Sequence, residues 1–270
     1  MRAIVLTYHS GNLAGNDYAT NNLVALAEDL EQIHALGIPI VPLRSIVDAL
    51  IAGAAAALPK TVAAITLDDG LDFDFVDLVH PFHGPQRSVR SILRSFSSRH
   101  GVAAHATTFV IASPDARRQI ARREMLDHQW IGDHWWRAAV ASGLFHVGNH
   151  SWDHLSPSVA QVQQREGKSG SFGFIDTFED ADLQVRAARE FIEAKAPNPG
   201  SALFAFPYGE GSAYLVEKFF PLHLARHGTL AAFTGTPGVM HAASNRWLLP
   251  RNTCGTAWRT PDDLARLLRE

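Results

Sequence analysis

The chain has 270 residues, 46% of them apolar and 19% charged, with a formal charge of -3, a composition that marks a globular protein and excludes disordered and fibrous classes. That charge creates no field for gathering nucleic acid, and the 24 Lys and Arg are scattered apart from the run Arg117-Arg118 to Arg122-Arg123, read as a solvated helix face. A single cysteine, Cys254, excludes an internal disulfide and any Cys-rich zinc module.

The first apolar run stops at His9 and is too short for the core of a signal peptide, and the Ala-rich run from Ala49 to Leu58 is too short to span a bilayer. The expectation is a cytoplasmic protein without a membrane span. Ala3 to Tyr8 reads as a buried strand with His9 at its C-terminal end, where barrel enzymes place their chemistry; a histidine that holds a loop is the alternative. Asn21 to Leu36 has helical apolar spacing and is stopped by Gly37. A short strand, Ile38 to Pro42, and a helix, Ser45 to Ala56, lead to the strand Val62 to Leu67. Gly70 to Gly84 reads as a loop over the mouth carrying His80 and His83.

Further along, a helix is expected over Ser88 to His100, a strand over Ala104 to Ile111, and helices over Pro114 to Arg123 and Ile131 to Ala141. The pair Trp135-Trp136 lies in the last of these, with one of the two in the core. Strand Leu144 to Gly148 leads into His150-Ser151-Trp152-Asp153-His154, and the Gly- and Ser-rich stretch from Ser156 to Phe174 reads as a mobile loop. A long helix, Phe178 to Ala196, then strand Ala202 to Phe206, a helix from Ser212, strands Leu230 to Thr234 and Trp247 to Leu249, and a closing helix Pro261 to Leu268 complete the chain. Strand and helix alternate seven or eight times without a shift in composition. This predicts an α/β fold, a distorted barrel of seven or eight parallel strands forming one domain over 1–270, with loops near 70–87 and 156–175.

The strand over Val62 to Leu67 delivers two adjacent carboxylates, Asp68 and Asp69, to Gly70. Burying such charges without a partner is costly, so a cation is expected there, a metal ion being the candidate. His150 and His154 stand at i and i+4, a spacing that on one helical turn brings Cβ atoms within about 5–6 Å. One carboxylate and two imidazoles leave a coordination position open for water or substrate. Two other pairs share the spacing. His146/His150 reads as structural, and His223/His227 as a surface or capping pair at a helix C-terminus. The sequence lacks a Gly-x-Ser-x-Gly elbow, a phosphate-binding Gly-x4-Gly-Lys-Ser/Thr loop, a complete Gly-x-Gly-x-x-Gly and His-Glu-x-x-His. Cys254 has no nearby base in the sequence to make it a nucleophile.

These residues resemble the polysaccharide deacetylases of carbohydrate esterase family 4. Thr66-Leu67-Asp68-Asp69-Gly70 is similar to their Thr-Phe-Asp-Asp-Gly motif, His150 to His154 to their metal-binding histidine motif, and Phe206-Pro207-Tyr208-Gly209 to their Pro-Tyr-Gly, with Tyr8-His9 and Leu249-Pro250-Arg251 in keeping. The resemblance implies metal-dependent removal of an acetyl group, N-linked before O-linked, from a carbohydrate. It assigns Asp69, His150 and His154 to one divalent ion, zinc first, with iron, cobalt and nickel sharing its preferences. Asp68 becomes the general base, and the Tyr208 N–H faces the oxyanion. The chain departs from the family at Ala205, where many members carry an Arg, so Arg251 is the candidate to hold Asp68. It also lacks the late Leu-x-His acid, leaving His241, His80 and His83 as candidate donors. Without a leader, the resemblance points to a precursor sugar, for instance of a surface polysaccharide or O-antigen. A barrel amidohydrolase acting on a non-sugar C–N bond and an inactive sugar-binding relative are the alternatives.

Overall fold

A computed structural model describes residues 1–164 and 167–269. Seven parallel strands form one curled sheet in the order β8-β7-β6-β5-β2-β1-β9, and β3 with β4 makes a separate hairpin. Toward the β9 edge of the sheet, β1 (Arg2–Tyr8) pairs with β2 (Thr61–Leu67) from Arg2↔Thr61 to Tyr8↔Leu67. Both are near-continuous apolar runs, as strands covered on both faces must be. Alternation sorts their side chains. Ala3, Val5, Val62 and Ala64 join Phe109, Leu203, Phe233 and Leu249 in an inner cluster, while Ile4, Leu6, Ala63 and Ile65 pack outward. The outer cluster holds α1 (Asn22–Ala35), whereas α2 (Leu43–Ile51) puts Leu43, Ile46 and Val47 against the inner one.

The segment after β2 is a tight turn, Asp72–Asp74, followed by the antiparallel hairpin β3 (Leu78–His80) and β4 (Gly84–Gln86), where a loop is expected. Then come α3 (Val89–His100), β5 (Ala106–Val110), α4 (Pro114–Glu124), α5 (Trp136–Ala141) and β6 (Phe145–Asn149). The helix expected from Ile131 is confined to α5, and both Trp135 and Trp136 are buried. Within the expected loop 156–175 lies a short helix, Ala160–Gln163; Arg165 and Glu166 are outside the described residues. The long helix is one continuous run, Phe178–Ala181, the π-wound Asp182–Ala187, and Ala188–Lys195.

The sheet ends with β7 (Leu203–Ala205), β8 (Ala231–Phe233) and β9 (Asn252–Thr253), and Pro261–Arg269 forms the last helix. Two expected strands shrink to single bridges. Ile40 pairs only with Ala63, because Pro39 and Pro42 cannot donate to a ladder. Leu249 pairs with Phe233, and directly after Arg251 the same segment joins β1 at Leu6↔Asn252 and Thr7↔Thr253. Residues 249–253 therefore link the two edges of the sheet and carry Arg251 across its C-terminal mouth. Among the described residues no helix is long and apolar enough to cross a membrane.

Candidate metal centre and active site

Alternation along β2 turns Asp68 inward, above Thr66, whose hydroxyl bonds that of Thr7 at 2.8 Å. Asp68 continues the ladder, its N–H donating to the Tyr8 carbonyl at 3.1 Å. The next residue leaves it: Asp69 has φ 73 and Gly70 φ 71, two left-handed residues in succession. A Cβ at position 70 would lie 2.6 Å from Val110 Cγ1 and 3.0 Å from its Cα, so only glycine closes this turn. The reversal sends the two adjacent carboxylates to different partners.

Asp68 meets Arg251. Nη1 donates to Oδ1 at 2.6 Å and Nη2 to Oδ2 at 2.8 Å, while Nε bonds the Thr234 carbonyl at 3.2 Å. Both residues are buried, and the guanidinium carbon sits 5.5 Å from the Phe109 ring centre. Burial alone would raise the Asp68 pKa, but Arg251, His150 and His9 outweigh it and hold the carboxyl well below its usual range. Arg251 is thus the guanidinium that holds Asp68.

Asp69 meets the histidines. Its Oδ1 is 3.7 Å from His150 Nε2 and 3.6 Å from His154 Nε2, and the three ligand atoms lie within 4.8 Å of one another. The histidines are not on a helical turn, as the spacing suggested. They lie on a loop with positive φ at Ser151 (76), His154 (62) and Leu155 (44). Asn149 Oδ1 accepts from the Ser151 N–H, Ser151 Oγ from the His154 N–H, and Gln184 both accepts from the Trp152 N–H and donates to Asp153. His150 Nδ1–H donates to the Ala205 carbonyl at 2.9 Å, which leaves Nε2 as the nitrogen facing Asp69. Burial and His150 push the His154 pKa down to about 4, so its ring is neutral and able to ligate. The donor set fits a divalent ion: a tetrahedral zinc site with bonds near 2.0 Å separates its ligands by about 3.3 Å, close to the distances found.

Tyr208 has φ 60, its ring centre is 4.6 Å from that of His154, and it is partly exposed. Burial, with Glu124 and Asp69, raises its phenol pKa above the ordinary value, so it stays protonated. Two cavities meet at Asp69. One of ≈ 280 Å³ is lined by His9, Asn12, Asp69, Phe73, His80 and Trp130, and the other, ≈ 250 Å³, by Asp69, Ile111, Ile120, Ile131, His154 and Tyr208. The His80 and His83 rings stack 4.7 Å apart on the hairpin beside the first cavity.

His241 is elsewhere. It follows Met240, which bridges Ala3 at the start of β1, and it is exposed, its N–H bonded to Ser244 Oγ. Six residues of strand, about 20 Å, separate that end from His9, so His241 is not part of this site. His9 is nearer: it lines the first cavity, acts electrostatically on both Asp68 and His154, and its buried Nδ1 has no hydrogen-bond partner among the described residues. Its place at a strand end was the available signal. His227, expected at the surface, is fully buried, with Nε2 bonded to the Phe220 carbonyl and Nδ1 accepting from Thr229. Burial depresses its pKa to about 4, so it is a neutral core residue and not a charged cap.

No family model and no curated protein matches the sequence. Solved structures do. The deacetylase PplD of Streptococcus pyogenes, solved in complex with acetate, superposes with a TM-score of 0.67 at 15% identity, over 99% of this chain and 98% of its own. The fold is that of the polysaccharide deacetylases. IcaB from Ammonifex degensii is similar at a TM-score of 0.66 and 21% identity, covering 99% of this chain and 95% of that one. A de-N-acetylase from Aggregatibacter actinomycetemcomitans gives 0.64 at 12% identity, over 99% and 100%.

Proposed function

We propose that the chain is a metal-dependent carbohydrate deacetylase. The observation that carries this reading is the division of labour at Gly70: Asp69 turns to two histidines while Asp68, one residue away, is clamped by Arg251. Asp69, His150 and His154 would hold the ion, zinc before iron, cobalt or nickel. When bound, such an ion polarises a carbonyl and acidifies water.

The chain's own residues supply the rest. Asp68, kept ionised by Arg251, accepts the proton of the attacking water. The Tyr208 main-chain N–H faces the oxygen that gains charge. His9 donates a proton to the leaving nitrogen from the side of the first cavity, which His80 and Trp130 shape for a sugar ring. An amide nitrogen leaves only once protonated, so a built-in acid favours N-acetyl over O-acetyl. The fold shared with deacetylases supports the same reading. A surface-polysaccharide or O-antigen precursor is the substrate class proposed from the resemblance of the motifs.

The test is acetate release from N-acetylglucosamine oligomers by the zinc-loaded protein. Asp68→Asn should abolish release with zinc still bound. Sugar binding without acetate release in the unsubstituted protein would replace this reading with that of a binding protein.

A further inference from the structure

We infer that the site accepts an acyl group larger than acetyl, of roughly four to six carbons, in the apolar cavity beside His154. This rests on the hydrolytic reading above. The two cavities share Asp69, Glu124 and Met125, so the candidate metal centre lies where they meet. Their walls differ in chemistry. The first presents His9, Asn12, His80 and Trp130, hydrogen-bonding and stacking groups suited to a sugar. The second is floored by Ile111, Ile120 and Ile131, all buried, with Met125 and Pro157 beside them.

Its polar groups are Asp69, Glu124, His154, Ser156 and Tyr208. Asp69 and His154 are at the metal end, and Glu124 accepts a hydrogen bond from Ser156 Oγ at 3.3 Å, so that pair is already engaged. An amide held across the centre with its sugar in the first cavity points its acyl carbon into the second. An acetyl methyl occupies about the ~30 Å³ of one water molecule, a small part of ≈ 250 Å³. The cavity opens to solvent past Glu124, Pro157 and Tyr208, so the further carbons of a longer acyl chain would displace water from the three isoleucines. In the reaction, water's oxygen joins the acyl carbon, the C–N bond breaks, the nitrogen gains a proton, and the acyl group leaves as its carboxylate.

The experiment is a chain-length series of N-acetyl-, N-propionyl-, N-butyryl- and N-hexanoylglucosamine oligomers with zinc-loaded protein. Each added methylene that enters the cavity should raise kcat/KM roughly fourfold. Ile120→Phe, which fills the floor, should collapse the butyryl-to-acetyl ratio, and Ile120→Ala should extend the preference to longer chains. Calorimetry on the Asp68→Asn protein gives a readout without turnover: the N-butyryl sugar should bind about tenfold or more tighter than the N-acetyl sugar. Acetyl hydrolysis with propionyl and butyryl each tenfold or more slower would overturn the inference and leave the deacetylase reading intact. No hydrolysis of any member would overturn both.

Discussion

Arg251→Met removes the guanidinium bonded to Asp68, and the molecule contains its own measure of the consequence. Asp74 is as buried as Asp68, is bonded by the Thr108 hydroxyl and has no basic partner among the described residues; burial, with Asp69 and Asp72 adding to it, takes its pKa from 3.8 to about 7. Applied to Asp68, that rise sets an upper limit of about 4 kcal/mol at ~1.4 kcal/mol per pKa unit, since His150 and His9 still face the carboxyl; roughly 3–5 kcal/mol is expected on breaking a buried ion pair. The sign follows from linkage. In the unsubstituted protein the Asp68 pKa is depressed, so its contribution is present above pH 3.8 and lost only as pH falls through the lower folded value. In the variant it is raised, so ionisation destabilises the fold as pH climbs from 4 toward 7. The stability gap should therefore already be open near pH 4, where the variant lacks the contribution that the depressed pKa supplies, and should widen as pH climbs toward 7. Urea unfolding of metal-free protein, followed by the fluorescence of buried Trp135, Trp136 and Trp258, measures it at pH 5 and pH 8. The acid limb of kcat/KM should move up toward neutrality, because the base must be ionised. Equal stability at pH 8 together with an unmoved acid limb would refute the reasoning.

Other outcomes follow from the same geometry. His227, held neutral with a pKa near 4, makes stability fall as pH drops from 6.5 toward 4, by about 1.4 kcal/mol per pH unit for one proton; His227→Phe should flatten that part of a pH series of unfolding free energies. Gly70→Ala forces a β-carbon into Val110 at φ 71 and should cost about 2 kcal/mol or more, with weakened zinc binding in a metal titration. His9→Gln should lower kcat by roughly 10²–10⁴-fold with zinc affinity retained, whereas His241→Ala, at the far end of β1, should leave turnover unchanged.

Much of the fold was legible because parallel strands buried on both faces write themselves as unbroken apolar runs, as in β1 and β2. The acid pair was legible for the same reason: carboxylates ending such a run need an explanation. Arg251 could be singled out only through the resemblance, which expects an Arg where this chain has Ala205 and so points to the last strand for that charge. The i, i+4 spacing of His150 and His154 picked out two residues that do converge on Asp69, but through the wrong geometry, since Asn149 and Gln184 hold the loop open by hydrogen bonds that no periodicity reveals. His227 was misread because burial depends on Phe219, Phe220 and Trp247 packing around it. His241 was misread because only the bridge from Met240 to Ala3 shows that the chain has returned to the bottom of the barrel. Proline decided one local failure, in Ile38 to Pro42, where Pro39 and Pro42 keep the extended segment from becoming a strand.

The central claim is that Asp69, His150 and His154 hold one divalent ion. Diffraction from zinc-grown crystals, recorded on either side of the zinc absorption edge, tests it most directly. The account predicts one strong anomalous peak per chain within bonding distance of Asp69 Oδ1 and the Nε2 atoms of His150 and His154, lost in Asp69→Ala. A peak elsewhere, or a peak at that place that survives Asp69→Ala and His150→Ala together, would contradict it.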